Sequence, residues 1–181
     1  MTPTEILKHE HQVILLVLKG AEREGNAARN KGACDAQKVE QMADFFKMFV
    51  DRCHHAKEER HLFPALEKHG VPKEGGPLGV MLSEHDEGRG HVRAIAAALP
   101  GLNAGRREAA LETANELLAY ATLLRAHIDK EENVLFAIAE RVLTPKECRE
   151  MVKAFDRVEA EEIGVGVHEK YHQLAHELAK Q

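Results

Sequence analysis

An all-α fold, built as an up-down-up-down four-helix bundle with a C-terminal helical extension, is predicted by three features of the 181-residue chain. Ala, Leu, Glu, Lys and Arg, all strong helix formers, dominate, and aromatic residues make up only 4%. The 13 glycines and 6 prolines gather at a few junctions instead of scattering through the segments between them. Apolar residues recur at steps of three and four, the spacing of one face of a helix. The length suits one domain and excludes two large ones.

Helix one, at about residues 3–25, opens on Thr2-Pro3-Thr4-Glu5, where Thr can cap, Pro fits the first turn and Glu completes a capping box. A polar Gly/Asn/Ala loop then leads through Asp35 to helix two, at about 36–69, whose end is marked by His69-Gly70-Val71-Pro72. The clearest break is Pro72 to Pro77. Helix three follows to Leu99, with Pro100-Gly101 as its stop, and helix four spans about 105–142. A shorter helix at about 145–162 starts on the same Thr-Pro-Lys-Glu logic at Thr144, and past Gly164-Val165-Gly166 a last segment holds His168 to Lys180. The bundle is therefore expected over 1–142 and the extension over 143–181.

The balance of 25 basic to 30 acidic residues leaves a net charge of −5, so no cationic field is available to hold nucleic acid or an anionic membrane. The longest aliphatic run, Val13 to Leu18, is far short of a membrane span, and no signal-peptide pattern opens the chain. Three cysteines, Cys34, Cys53 and Cys148, are odd in number and widely spaced, which suits reduced thiols. A cytoplasmic location is the expectation. The Gly75-Gly76 turn has no phosphate-binding pattern around it.

Histidine is in excess, with 12 residues, and its placement is informative. The helical seams read Leu7, His11, Ile14, Leu18 in helix one and Met42, Phe46, Val50, His54, Glu58, Leu62, Leu66 in helix two. In helix three they read Leu78, His85, Val92, Leu99, and in helix four Leu117, Tyr120, Leu124, His127, Glu131, Val134, Ile138. The chain also repeats itself: Glu10-His11 matches Glu84-His85, and Lys57-Glu58-Glu59 matches Lys130-Glu131-Glu132. The offsets are 74 from His11 to His85 and 73 from both His54 to His127 and Glu58 to Glu131, which suggests two helical hairpins related by a pseudo-twofold axis. The alignment selects His54 over His55, which falls opposite Ile128.

In each His-x-x-x-Glu pair the two side chains are one helical turn apart and reach the same point beside the helix. Four imidazoles and two carboxylates inside an apolar bundle would be very costly without something to satisfy them. A metal pair does so. Mixed nitrogen and oxygen ligands with carboxylates able to bridge suit iron or manganese better than zinc, and bundle cores host such sites. Glu59, Glu132 and His55 neighbour the ligands and are expected in supporting or surface roles; Glu10 and Glu84 are expected in salt bridges. His61 and His69 are expected on exposed faces.

A single His on helix one, His-x-x-x-Glu on helix two, a single His on helix three and His-x-x-x-Glu on helix four resembles the hemerythrin-like proteins with the HHE cation-binding domain. The resemblance covers about residues 1–142 and implies a non-haem di-iron centre bridged by oxygen and two carboxylates, with iron preferred over manganese or zinc. It carries the ligands over to His11, His54, Glu58, His85, His127 and Glu131. Binding or reduction of a small diatomic or peroxide ligand, O₂, peroxide or NO, is what it implies for function. Oxygen-carrying members are similar but place a second His one turn from the helix-three ligand; here that position is Met81 or Arg89, and His91 faces elsewhere, so the coordination shell is expected to be emptier than a pure oxygen carrier requires. Three readings stay open: a sensor or redox protein, an oxidoreductase consuming peroxide or NO, and an iron-responsive interaction module.

The C-terminal His168-Glu169-Lys170-Tyr171-His172 matches H-E-x-x-H, yet too little chain follows His172 for a usual third zinc-protease ligand. The segment is expected to lie against the bundle mouth. There Tyr171, His168 or His172 would complete the metal shell or gate access, with simple docking as the alternative.

Overall fold

The structure is a computed structural model that describes residues 1–164 and 166–180. It holds six helices among those residues: α1 (Pro3–Lys31), α2 (36–68), α3 (Pro77–Asn103), α4 (107–142), α5 (Pro145–Glu162) and α6 (Val167–Ala179). None is long and apolar enough to cross a membrane. Val165, in the break before α6, lies outside the described residues.

Both expected capping boxes form. Thr2 and Glu5 close the start of α1, and Thr144 and Glu147 close the start of α5. Two expected stops do not act as stops. Helix α1 runs past Gly25 and ends at Gly32, which takes the left-handed conformation at φ 68°. Gly25 serves packing instead, since a Cβ there would sit 2.8 Å from Leu118 of α4. Helix α3 runs through Pro100 to Asn103. The amide hydrogen that Pro lacks would have reached the carbonyl of Ala96, and both residues are exposed, so water can satisfy it. Gly101 permits close approach to Ala109 of α4.

Helices α2 and α4 are not uniformly α-helical. In α2, π-helical stretches at Phe46–His55 and Glu58–Leu62 lie between α-helical ends, Ala36–Phe45 and Phe63–Lys68. In α4, one π-helical turn, Glu131–Leu135, separates Arg107–Lys130 from Phe136–Val142. A strict four-residue step drifts about 40° around an ideal α-helix each time. The wider π turns absorb that drift, so the whole step-four seam of α2, from Met42 to Leu66, is buried. In α4 the same device shifts the phase: Leu135, Phe136 and Ala139 face inward beyond the π turn, whereas Val134 is 50% exposed and Ile138 only partly buried. The inner face of α3 also departs from the seven-residue ladder, with Met81, Gly88, Ile95 and Ala98 buried and Val92 and Leu99 half-buried.

The apolar core is divided into two. One part gathers Ile14, Leu18, Phe46, Phe49, Leu117 and Tyr120 with Tyr171 and Ala175 of α6; the other gathers Leu7, Leu62, Leu66, Leu135 and Phe136 with Met151 and Phe155 of α5. Between them lies a layer of buried polar side chains that includes His11, His54, Glu58, His85, His127 and Glu131. Helix α6 docks on α1, where Arg23 donates to the Leu178 carbonyl at 2.6 Å and Gly20 leaves room for that carbonyl.

Candidate metal centre

Each of the four bundle helices delivers one histidine into the polar layer from a buried position, and α2 and α4 each add a glutamate one turn on. The Nε2 atoms of His11 and His54 face one another at 3.1 Å, and those of His85 and His127 at 3.0 Å. The two glutamates cross-link these pairs. Glu58 points Oε1 at His54 Nε2 (3.5 Å) and Oε2 at His85 Nε2 (3.5 Å). Glu131 points Oε2 at His11 Nε2 (3.2 Å) and Oε1 at His127 Nε2 (3.4 Å). The six residues carried over from the sequence therefore converge.

The tautomers follow from what lies behind each ring. His11 Nδ1 donates to Glu132 (2.9 Å), His54 Nδ1 to Glu10 (2.8 Å), His85 Nδ1 to Glu59 (2.7 Å) and His127 Nδ1 to Glu84 (2.8 Å). With the hydrogen on Nδ1, a neutral ring carries a lone pair on Nε2, so each facing pair sets two lone pairs about 3 Å apart, an arrangement that calls for a shared cation. Burial lowers His54 to about 4, and lowers His55 and His85 as well, which favours their neutral form at neutral pH; burial would lower His127 too, but the Glu131 charge beside it raises it. Burial and the adjacent Glu131 charge push the Glu58 carboxyl well above the usual carboxylate range. The four side-chain oxygens of Glu58 and Glu131 and both ring nitrogens of His55 are buried without a hydrogen-bond partner. Unsatisfied groups this deep in a fold are rare, and metal cations fit this donor set.

The outer ring of carboxylates obeys the same repeat. Lys57 holds Glu10 and Lys130 holds Glu84, at an offset of 73 between the lysines and 74 between the glutamates. Burial alone would raise Glu10, but the His54 hydrogen bond and the Lys57 charge hold it down to about 2. Glu10, Glu84, Glu59 and Glu132 thus orient the four facing histidines, a role beyond the salt bridging expected of the first two. The internal alignment contained this signal, because it already paired each of them with its counterpart.

His55 needs correction most. It is 3% exposed, its ring stacks on His85 with centroids 3.7 Å apart, and one of its nitrogens lies within 4.8 Å of ligand atoms of Glu58, His85 and His127. A fifth histidine therefore reaches the layer from α2, beside Glu58, His85 and His127. Register explains the miss: α2 is π-helical up to His55, and its counterpart Ile128 lies in regular α-helix. Arg89 is engaged elsewhere, by Asp51, Glu59 and Asp86.

His168, His172 and Tyr171 are not brought into the centre. Tyr171 donates to Asp44 (2.9 Å) and packs on Phe45 and Phe49, while the Nε2 atoms of His168 and His172 are 2.8 Å apart. The extension touches the site indirectly: His168 Nδ1 reaches Glu159 (3.1 Å), Glu159 accepts from Lys57 (3.4 Å), and Lys57 holds Glu10 behind His54.

An uncharacterized protein of Mycobacterium bovis and one of Mycobacterium tuberculosis are each 28% identical to the chain over 167 residues, 91% of it. The chain spans 64% of the length of these relatives. No solved structure matches it. The family model described as the hemerythrin HHE cation binding domain matches residues 2–139, the stretch from which every histidine and glutamate of the polar layer comes. By that match the chain belongs to the hemerythrin HHE cation-binding family.

Proposed function

We propose that this protein holds a non-haem di-iron centre in residues 1–142 and uses it to bind or sense O₂ or a related small oxidant such as peroxide or NO, with 143–181 acting as a helical cover. The observation that carries this reading is the pair of partnerless carboxylates, Glu58 and Glu131, each spanning histidines from opposite halves of the bundle. The donor set supports iron: imidazole nitrogen with bridging carboxylates suits a redox-active first-row metal, while calcium and magnesium favour all-oxygen sites. His11 and His54 would hold one iron and His85 and His127 the other, with His55 beside the second. The iron pair would supply reversible one-electron chemistry toward the oxidant.

The protein's own contribution is to fix geometry and exclude water. The four outer carboxylates hold the rings in one tautomer, and the flanking apolar clusters keep the layer dry. Free thiols fit a cytoplasmic setting. Anaerobic titration with ferrous iron tests the reading. Two equivalents should bind per chain; His54→Ala and His127→Ala should abolish or halve that binding, whereas His61→Ala and His69→Ala should leave it intact. Equal effects from both sets would refute the assignment.

A further inference from the structure

His55 differs from the other four histidines of the layer in a way that suggests a function. Each of the four has its Nδ1 gripped by a glutamate at 2.7–2.9 Å. His55 has no such anchor. Neither of its nitrogens has a hydrogen-bond partner, and the nearest carboxylate, Asp51, stands 3.6 Å away and is committed to Arg89 at 2.8 Å. Its pseudo-twofold counterpart is Ile128, so only one half of the bundle carries this ring.

Behind His55 lies a cavity of about 270 Å³. A void of about 150 Å³ already admits a benzene-sized ring, so the imidazole has room to turn into it. The cavity wall is apolar, formed largely by Phe46, Val92 and Tyr120, and Gly88 leaves space for the Tyr120 ring. Lys47 and Arg93, both exposed, also line the cavity, together with Arg89 and the Asp51 carboxylate that is paired with it. Basic side chains over an apolar wall favour entry of a small anion.

We propose, resting on the metal-centre reading above, that His55 is an exchangeable ligand whose imidazole withdraws into this cavity and gives up its coordination position to a small anion, such as hydroperoxide or azide. The exchange breaks one nitrogen–metal bond and forms one anion–metal bond, with no change of oxidation state. The four anchored histidines and two glutamates hold the metals throughout. The cavity thereby serves as both the anion's entrance and the place where the displaced ring is parked.

Azide is the probe, used on the iron-loaded full-length chain. If the position is open about a tenth of the time, His55 weakens apparent azide affinity about tenfold. His55→Ala and His55→Gln should therefore keep their full iron content and bind azide about tenfold more tightly than wild type, and added imidazole should return His55→Ala toward the wild-type affinity. In the wild type, azide should remove one paramagnetically shifted ring N–H resonance, a readout that needs no variant to fold. Unchanged azide affinity in both variants, or persistence of every shifted resonance with azide bound, overturns the exchange. Loss of iron from both variants overturns it too, by making His55 a fixed ligand. Wild-type protein that takes up no iron would instead sink the metal-centre reading itself.

Discussion

Each of the four repeat-related histidines carries a glutamate at its back, and this sets the chemistry of its front. A neutral imidazole gripped at Nδ1 offers Nε2 as a donor without further reorganisation, which is why loss of such a partner commonly costs about 10–100-fold in metal affinity. The two halves separate this effect from burial. Lys130 is 41% exposed at its side chain, so Glu84→Ala should lower metal affinity within that range and leave the metal-free fold nearly as stable. Lys57 is 1% exposed, so Glu10→Ala should also destabilise the metal-free protein, by up to about 3 kcal/mol, because it leaves a buried charge with only the 3.4 Å contact to Glu159. Denaturant unfolding of the two metal-free variants checks the contrast, and equal losses would refute it. The convergence of the six repeat-related residues was legible in the sequence because a near-constant offset of 73 to 74 ties them together. His55 was not, because nothing in a 3.6-residue periodicity announces that the helix widens just before it.

At the scale of elements, the π turns let α2 and α4 turn their histidine and glutamate side chains inward. They turn a four-residue apolar step into a single buried face, and in α4 they swap Val134 for Leu135 on the inner side. Helix starts were legible because capping is local chemistry among four residues. Helix ends were less so, because Gly25 and Gly101 answer to neighbouring helices that local sequence does not show. The cap of α5 predicts a pH effect. Hydrogen bonds from the Thr144 backbone and hydroxyl, then His69, hold Glu147 at about 2 against an ordinary 4.5. A lowered carboxylate contributes stability that is present above 4.5 and lost as pH falls toward 2. Hydrogen-exchange protection in the first turn of α5 should therefore drop across that window while the middle of α1 stays protected. Flat protection at Glu147 through the same window would remove the cap from the account.

For the whole molecule, a near-symmetric pair of hairpins is made asymmetric by what covers it. The Glu10–Lys57 pair is roofed by Glu159 and His168 of the extension, and the Glu84–Lys130 pair faces solvent. His55, on the same hairpin as Glu10 and Lys57, adds a second asymmetry. The division of the apolar core into two clusters follows from the same centre, since the polar layer must cross the bundle where all four helices pass. The sequence pattern showed the bundle and the layer, but a docked extension depends on contacts such as Gly20 against Leu178, which have no periodic signature. The chemistry proposed for the bundle rests on metal in that layer. Metal analysis with an optical spectrum of the aerobically purified full-length chain tests this most directly: two irons per chain with oxo-iron charge-transfer bands are expected. Fewer than one metal per chain, or zinc alone with a featureless spectrum, would contradict it.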